Sequence, residues 1–82
     1  MQIYLAQAII RSNHGNLVEV ISPHQFKAID LADAETIADE WATARKIVKV
    51  PDAILRVVRA GMILAERQIG VRAWTRSGGP AK

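Results

Sequence analysis

The segment 30–48, DLADAETIADEWATARKIV, most constrains what this chain can fold into. Wound at about 3.6 residues per turn, it places Ala34, Ile37, Ala38, Trp41, Ala44 and Val48 on one face. Asp33, Glu35, Thr36, Asp39, Glu40 and Lys46 fall on the other. Asp30 or Asp33 can cap the N-terminus by offering a carboxylate to backbone N–H groups that have no helical partner. Acids crowd the first turns, and Arg45, Lys46 and Lys49 crowd the end, which suits the helix dipole. The segment therefore reads as one amphipathic helix. Its small alanines let Ile37 and Trp41 press onto a sheet, with Trp41 expected in the core. The rest of the chain has to supply that sheet.

Segment 2–10 sets Ile3, Leu5, Gln7 and Ile9 against Tyr4, Ala6, Ala8 and Ile10; both faces are apolar, so the period alone does not decide. A helix would group Ile3, Ala6 and Ile10, but the turn that follows favours a strand apolar on both faces. Ser12, Asn13, His14, Gly15 and Asn16 follow as a cluster of turn formers, and the β-branched run LVEVI at 17–21 reads as the return strand of a hairpin. Pro23 lacks an N–H for a central ladder, so 22–24 marks a bend, beyond which 25–29 resumes the strand. Pro51 restricts Val50 and closes the helix.

Segment 53–69, AILRVVRAGMILAERQI, reads in two ways. As a helix it has apolar residues nearly all round and Gly61 in its interior, at a cost of about 1 kcal/mol. As two strands it turns at Ala60-Gly61, where glycine supplies the positive φ, and ILRVV is strongly β-forming. The hairpin is preferred, with 71–76 extending its last strand. The expected fold is α+β: a two-layer β-β-α-β-β sandwich, an antiparallel sheet with one amphipathic helix across a face. The alternative is β-β-α-α with residues 52–69 helical. A single small domain over 1–76 is expected, and 77–82, SGGPAK, reads as a flexible tail.

Composition narrows the function classes. The chain has no cysteine, which removes disulfide staples and thiolate metal sites and favours a reducing, cytoplasmic setting. The apolar N-terminus has no basic flank and stops at Arg11, too short to span a membrane and poor as a signal peptide. Residues 1–44 carry two basic against six acidic side chains, whereas 45–82 carry nine against two. Such asymmetry suits an acidic partner, or acidic surface on basic surface between copies; it also fits two solvated faces.

The chemistry-bearing residues do not assemble into a reaction centre. His14 and His24 lie in turns with no thiol beside them, so neither a metal nor a cofactor is expected. Ser12 near His14, and Ser22 near His24, lack a nucleophile elbow or an oxyanion loop. Asp39 and Glu40 diverge on a helix rather than converge. Arg45, one turn after Trp41, is expected to stack on it as a cation on an aromatic face. Arg56, Arg59, Arg67, Arg72 and Arg76, with Trp74 among the last, form a basic-plus-aromatic set that can hold an anion or a nucleic acid.

A non-enzymatic domain that works by protein association, chiefly with itself as a homodimer or larger homo-oligomer, accounts best for strands apolar on both faces. One helix covers one face only, leaving Ile3, Tyr4, Leu5, Ile9 and Ile10 as the candidate interface. A nucleic-acid-binding module built on the arginine-rich half is the alternative.

Overall fold

The computed structural model describes residues 1–12, 14–71 and 73–76. It is an antiparallel sheet of six strands with one α-helix packed across a face. Strand β1 (Gln2–Arg11) is central and the longest. The loop after it is closed by Ser12 N donating to Asn16 O at 2.7 Å, with Gly15 at φ 82°. The chain returns as β2 (Leu17–Glu19) and then β3 (His24–Ala28), both paired with the same edge of β1. Val20, Ile21, Ser22 and Pro23 stand opposite only Gln7 and Ala8 between the two pairings. The proline thus marks a break within one return strand, as its missing donor predicts.

Helix α1 (Leu31–Ala44) then crosses the sheet. Its N-cap is Asp30, whose Oδ1 accepts from Asp33 N at 2.9 Å, while Asp33 Oδ2 accepts from Ile29 N at 3.0 Å. The helix ends earlier than the apolar periodicity predicts. Lys46 adopts a left-handed conformation at φ 60°, and a short 3₁₀ turn (Ile47–Lys49) follows. Ala44 and Val48, expected on the buried face, are exposed. Ala34, Ala38 and Ala42 form the buried stripe, and Ile47 tucks beneath the helix end. Trp41 is half-buried at the junction of the two core clusters rather than enclosed.

Strand β4 (Ile54–Arg59) pairs with the other side of β1 and with β5 (Met62–Gln68). The hairpin reading of 53–69 is therefore correct and the helical alternative is not. Ala60 and Gly61 form the two-residue loop, at φ 53° and 77°. Positive φ at both positions matches the twist of the flanking strands. The register shifts between Val57 and Val58, leaving Leu64 as the extra residue of a bulge. Leu64 packs with Ala65 on the helix side as a result.

The end of the chain corrects the expected extension of β5. Gly70 at φ 94° reverses direction, and β6 (Thr75–Arg76) returns antiparallel along β5. The expected tail at 77–82 lies outside the described residues, as do Asn13 of the first turn and Arg72. Among the described residues, no helix is long and apolar enough to cross a membrane.

The layer between helix and sheet is built from small side chains. Ala6, Ala8, Ala28 and Ala65 from the sheet meet Ala34, Ala38 and Ala42 from the helix, with Val57 and Leu55 between. Without long side chains to hold them apart, the two layers approach closely. Larger groups such as Tyr4, Phe26, Ile37 and Trp74 ring the alanine contact.

Candidate functional site

Strand alternation sends Tyr4, Ala6, Ala8 and Ile10 toward the helix and Ile3, Leu5, Gln7 and Ile9 toward the opposite face. On that open face the register arranges side chains in cross-strand rows. One row runs through Gln25, Leu5, Val58 and Ile63. The next holds Gln7, Arg56, Glu66 and Thr75, and the third holds Glu19, Ile9, Ile54 and Gln68. A polar row therefore lies between two rows with apolar centres. Arg56 Nε donates to Glu66 Oε2 at 2.8 Å and fixes that middle row.

Of the five candidate interface residues, three lie on this face. Ile3 is 52% exposed, Leu5 is half-buried, and Ile9 is buried. Tyr4 is buried on the helix side, and Ile10 packs against the core around Leu55 and Ile47. Those two face the helix side, Tyr4 within the core and Ile10 half-buried against it. Val58 and Ile63 are also buried although, among the described residues, no helix covers them. What stays open is a hollow of about 280 Å³ lined by Ile3, Leu5, Val58 and the turn residues Arg59, Ala60 and Gly61.

The basic residues are distributed differently from a continuous anion-binding track. Arg67 Nη2 lies 2.6 Å from Asp39 Oδ1, and its Nη1 donates to Val71 O at 3.0 Å. The same guanidinium sits 5.7 Å from the Trp74 ring centre, and Trp74 Nε1 donates to Asp39 Oδ2 at 3.2 Å. Arg76 is bidentate on Glu35, with Nε to Oε2 at 3.3 Å and Nη2 to Oε1 at 3.2 Å. The hydrogen bond to Glu35, and then its charge, raise the Arg76 pKa above the ordinary guanidinium value. The basic C-terminal strands therefore clasp the acidic face of the chain's own helix. That pairing uses charge that the sequence offers equally to a second copy or to an external anion. Arg59 is exposed at the β4–β5 turn, and Arg72 lies outside the described residues.

The histidines are far from equivalent. His14 is exposed in the first turn. His24 stacks on Phe26 at 5.7 Å and on Trp41 at 6.0 Å, with ring planes 17° and 12° apart. Trp41 thus stacks on an imidazole, and the expected Arg45 contact is replaced by this ring pair; the guanidinium that lies over an aromatic face is Arg67, over Trp74. Sequence reasoning missed the His24–Trp41 contact. Its one signal was that alternation from Phe26 puts His24 on the helix side of β3. Among the described residues, no three histidine or carboxylate side chains converge as metal ligands. Compared with family models, curated proteins and solved structures, the chain matches none.

Proposed function

We propose that this chain is a non-enzymatic association module that pairs with a second copy through the open face of its sheet. The observation that carries the reading is the combination, on a face that no described helix covers, of exposed Ile3 and half-buried Leu5 with the self-complementary Arg56–Glu66 row. A face-to-face contact about a two-fold axis buries the same patch on both copies. It brings Arg56 of each against Glu66 of the other and lays the flanking apolar rows together. Burial of apolar surface at about 25 cal/mol per Å² supplies the drive, against the entropy of association. Nucleic-acid binding by the arginine-rich half has less support, because Arg56, Arg67 and Arg76 already hold carboxylates within the chain.

Sedimentation equilibrium at micromolar concentration tests the proposal. The expected species is twice the 9.0 kDa chain at both low and high salt, because apolar burial is not screened. Ile3→Asp is expected to give the single-chain mass with its melting transition intact, since Ile3 is exposed and contributes little to the fold. A 9.0 kDa species for the unaltered chain at both salt concentrations overturns the reading. Association that appears only with added nucleic acid, and fades steeply with salt, transfers the function to the arginines.

A further inference from the structure

A second concavity lies on the helix side of the sheet, between the end of α1 and the lead-in to β3. It has a volume of about 310 Å³ and is lined by Ile21, Ser22, Pro23, His24, Trp41 and Arg45. The break at Pro23 creates it, because the chain leaves the edge of β1 after Val20 and rejoins only at His24. The aromatic wall is ordered from behind. Tyr4 stacks on Phe26, Phe26 on His24 and His24 on Trp41, at successive centroid separations of 6.0, 5.7 and 6.0 Å.

The polar groups here are left available. The His24 ring stacks on both neighbours, and its nitrogens have no hydrogen bond among the described residues. Arg45 is exposed at the helix C-cap and, unlike Arg67 and Arg76, holds no carboxylate. It is the only lysine, arginine or carboxylate among the lining residues.

We propose that this pocket binds a planar aromatic carboxylate of one or two fused rings. The ring lies against Trp41, Ile21 and Pro23, and the carboxylate takes the two-pronged guanidinium of Arg45, a geometry arginine favours. His24 and the Ser22 hydroxyl complete the polar contacts. Charge and size select this class. A single permanent cation balances a monoanion and leaves a phosphate dianion under-compensated. The volume is at the small end of ligand pockets and suits one or two fused rings. The site is independent of the self-association reading, because it sits on the opposite side of the sheet.

The probe is 2-naphthoate, titrated into the full chain and followed by proton–nitrogen NMR. Saturable shifts are expected at the Trp41 indole N–H and at the backbone of 21–24 and 45. The Trp74 indole, held by Asp39, should not move. The neutral isostere 2-naphthylmethanol should bind about tenfold more weakly or worse, having no charge for Arg45. Arg45→Gln should weaken naphthoate by a similar factor and leave the melting temperature unchanged. The same shifts are expected in Ile3→Asp, so loss of the dimer does not remove the ligand site. Absence of saturation at millimolar probe, equal binding of the neutral alcohol, shifts centred on Ile3 and Leu5, or tighter binding of a nucleoside monophosphate each overturns the proposal.

Discussion

The two faces of this sheet bury their apolar residues by different means. On the helix side, alanines from both layers bring helix and sheet into close contact, and Ala8, Ala28, Ala34, Ala42 and Val57 lose all exposure. On the open side no second layer is present among the described residues. Ile9, Val58 and Ile63 are nonetheless nearly enclosed, while Ile3 at the margin is half in water. One face is closed by a helix, whereas the other has no helix over it among the described residues. The first arrangement is intolerant of volume changes, since an interface of alanines has no flexible side chain to give way. The second has room to adjust and a surface to offer.

Neighbouring residues on β4 give the sharpest contrast, and the largest expected effect. Leu55 points into the alanine layer and is 1% exposed, whereas Ile54 points to the open face and is half-buried. Leu55→Ala should cost about 2–5 kcal/mol, because it leaves a cavity that the close-packed helix cannot collapse into. Ile54→Ala should cost roughly 1 kcal/mol, since part of that side chain is already hydrated. Urea denaturation of both variants measures the difference. Equal losses would show that the open face is as tightly enclosed as the covered one.

Overpacking probes the same contrast from the other direction. Ala38→Leu adds volume where the helix meets Ala6 and Val57 and should destabilise by about 1–3 kcal/mol or more. Gln7→Leu adds apolar volume of similar size to the open face and should change monomer stability by less than about 0.5 kcal/mol. A neutral Ala38→Leu would mean that the layers stand further apart than the alanine stripe implies.

The β4–β5 loop carries a smaller effect of known sign. Ala60 holds φ 53° without the freedom of glycine, at a cost of roughly 1 kcal/mol. Ala60→Asn should raise stability by about 0.5–1 kcal/mol, since asparagine before glycine suits this loop. Gly61→Ala, at φ 77°, should lower it by a similar amount; nothing lies within 4 Å of the added Cβ, so the loss is conformational and not steric. Stabilisation by Gly61→Ala would contradict the turn.

These elements also show what the sequence could reveal. Features fixed by a local rule were legible: an aspartate N-cap at Asp30 or Asp33, the break at Pro23 and the turn at Ala60-Gly61, whereas β1, apolar on both faces, was placed as a strand only through the turn after it. Features decided by tertiary contact were not. Periodicity continues the helix to Val48, but the chain stops it at Ala44 and uses a left-handed lysine to turn Ile47 into the core. No propensity favours lysine there, so burial of Ile47 must outweigh it. Likewise Trp74 reads as part of an extended strand until Asp39, from a helix 35 residues earlier, accepts its indole N–H. The charge halves were visible as opposites, but whether they met within one chain or between two was a matter of geometry.

The smallest expected effect bears on that last point. Arg56 and Glu66 lie mid-face, with side chains 12% and 36% exposed, and form an ion pair at 2.8 Å. In a single chain the Glu66 side chain is 36% exposed, so a double-mutant cycle with Arg56→Met and Glu66→Met should give a coupling of about 0.2–1 kcal/mol that shrinks with salt. If two copies cover this face, the pair is desolvated and meets its counterparts across the axis. The coupling should then grow with protein concentration and resist salt, as close charge pairs in interfaces do. Measured at concentrations well below the dimer dissociation constant, the cycle reports the fold; measured well above it, the contact between copies. Identical values at both concentrations, in a chain that does dimerise, would place the interface elsewhere and leave the Arg56–Glu66 row a device for ordering the open sheet alone.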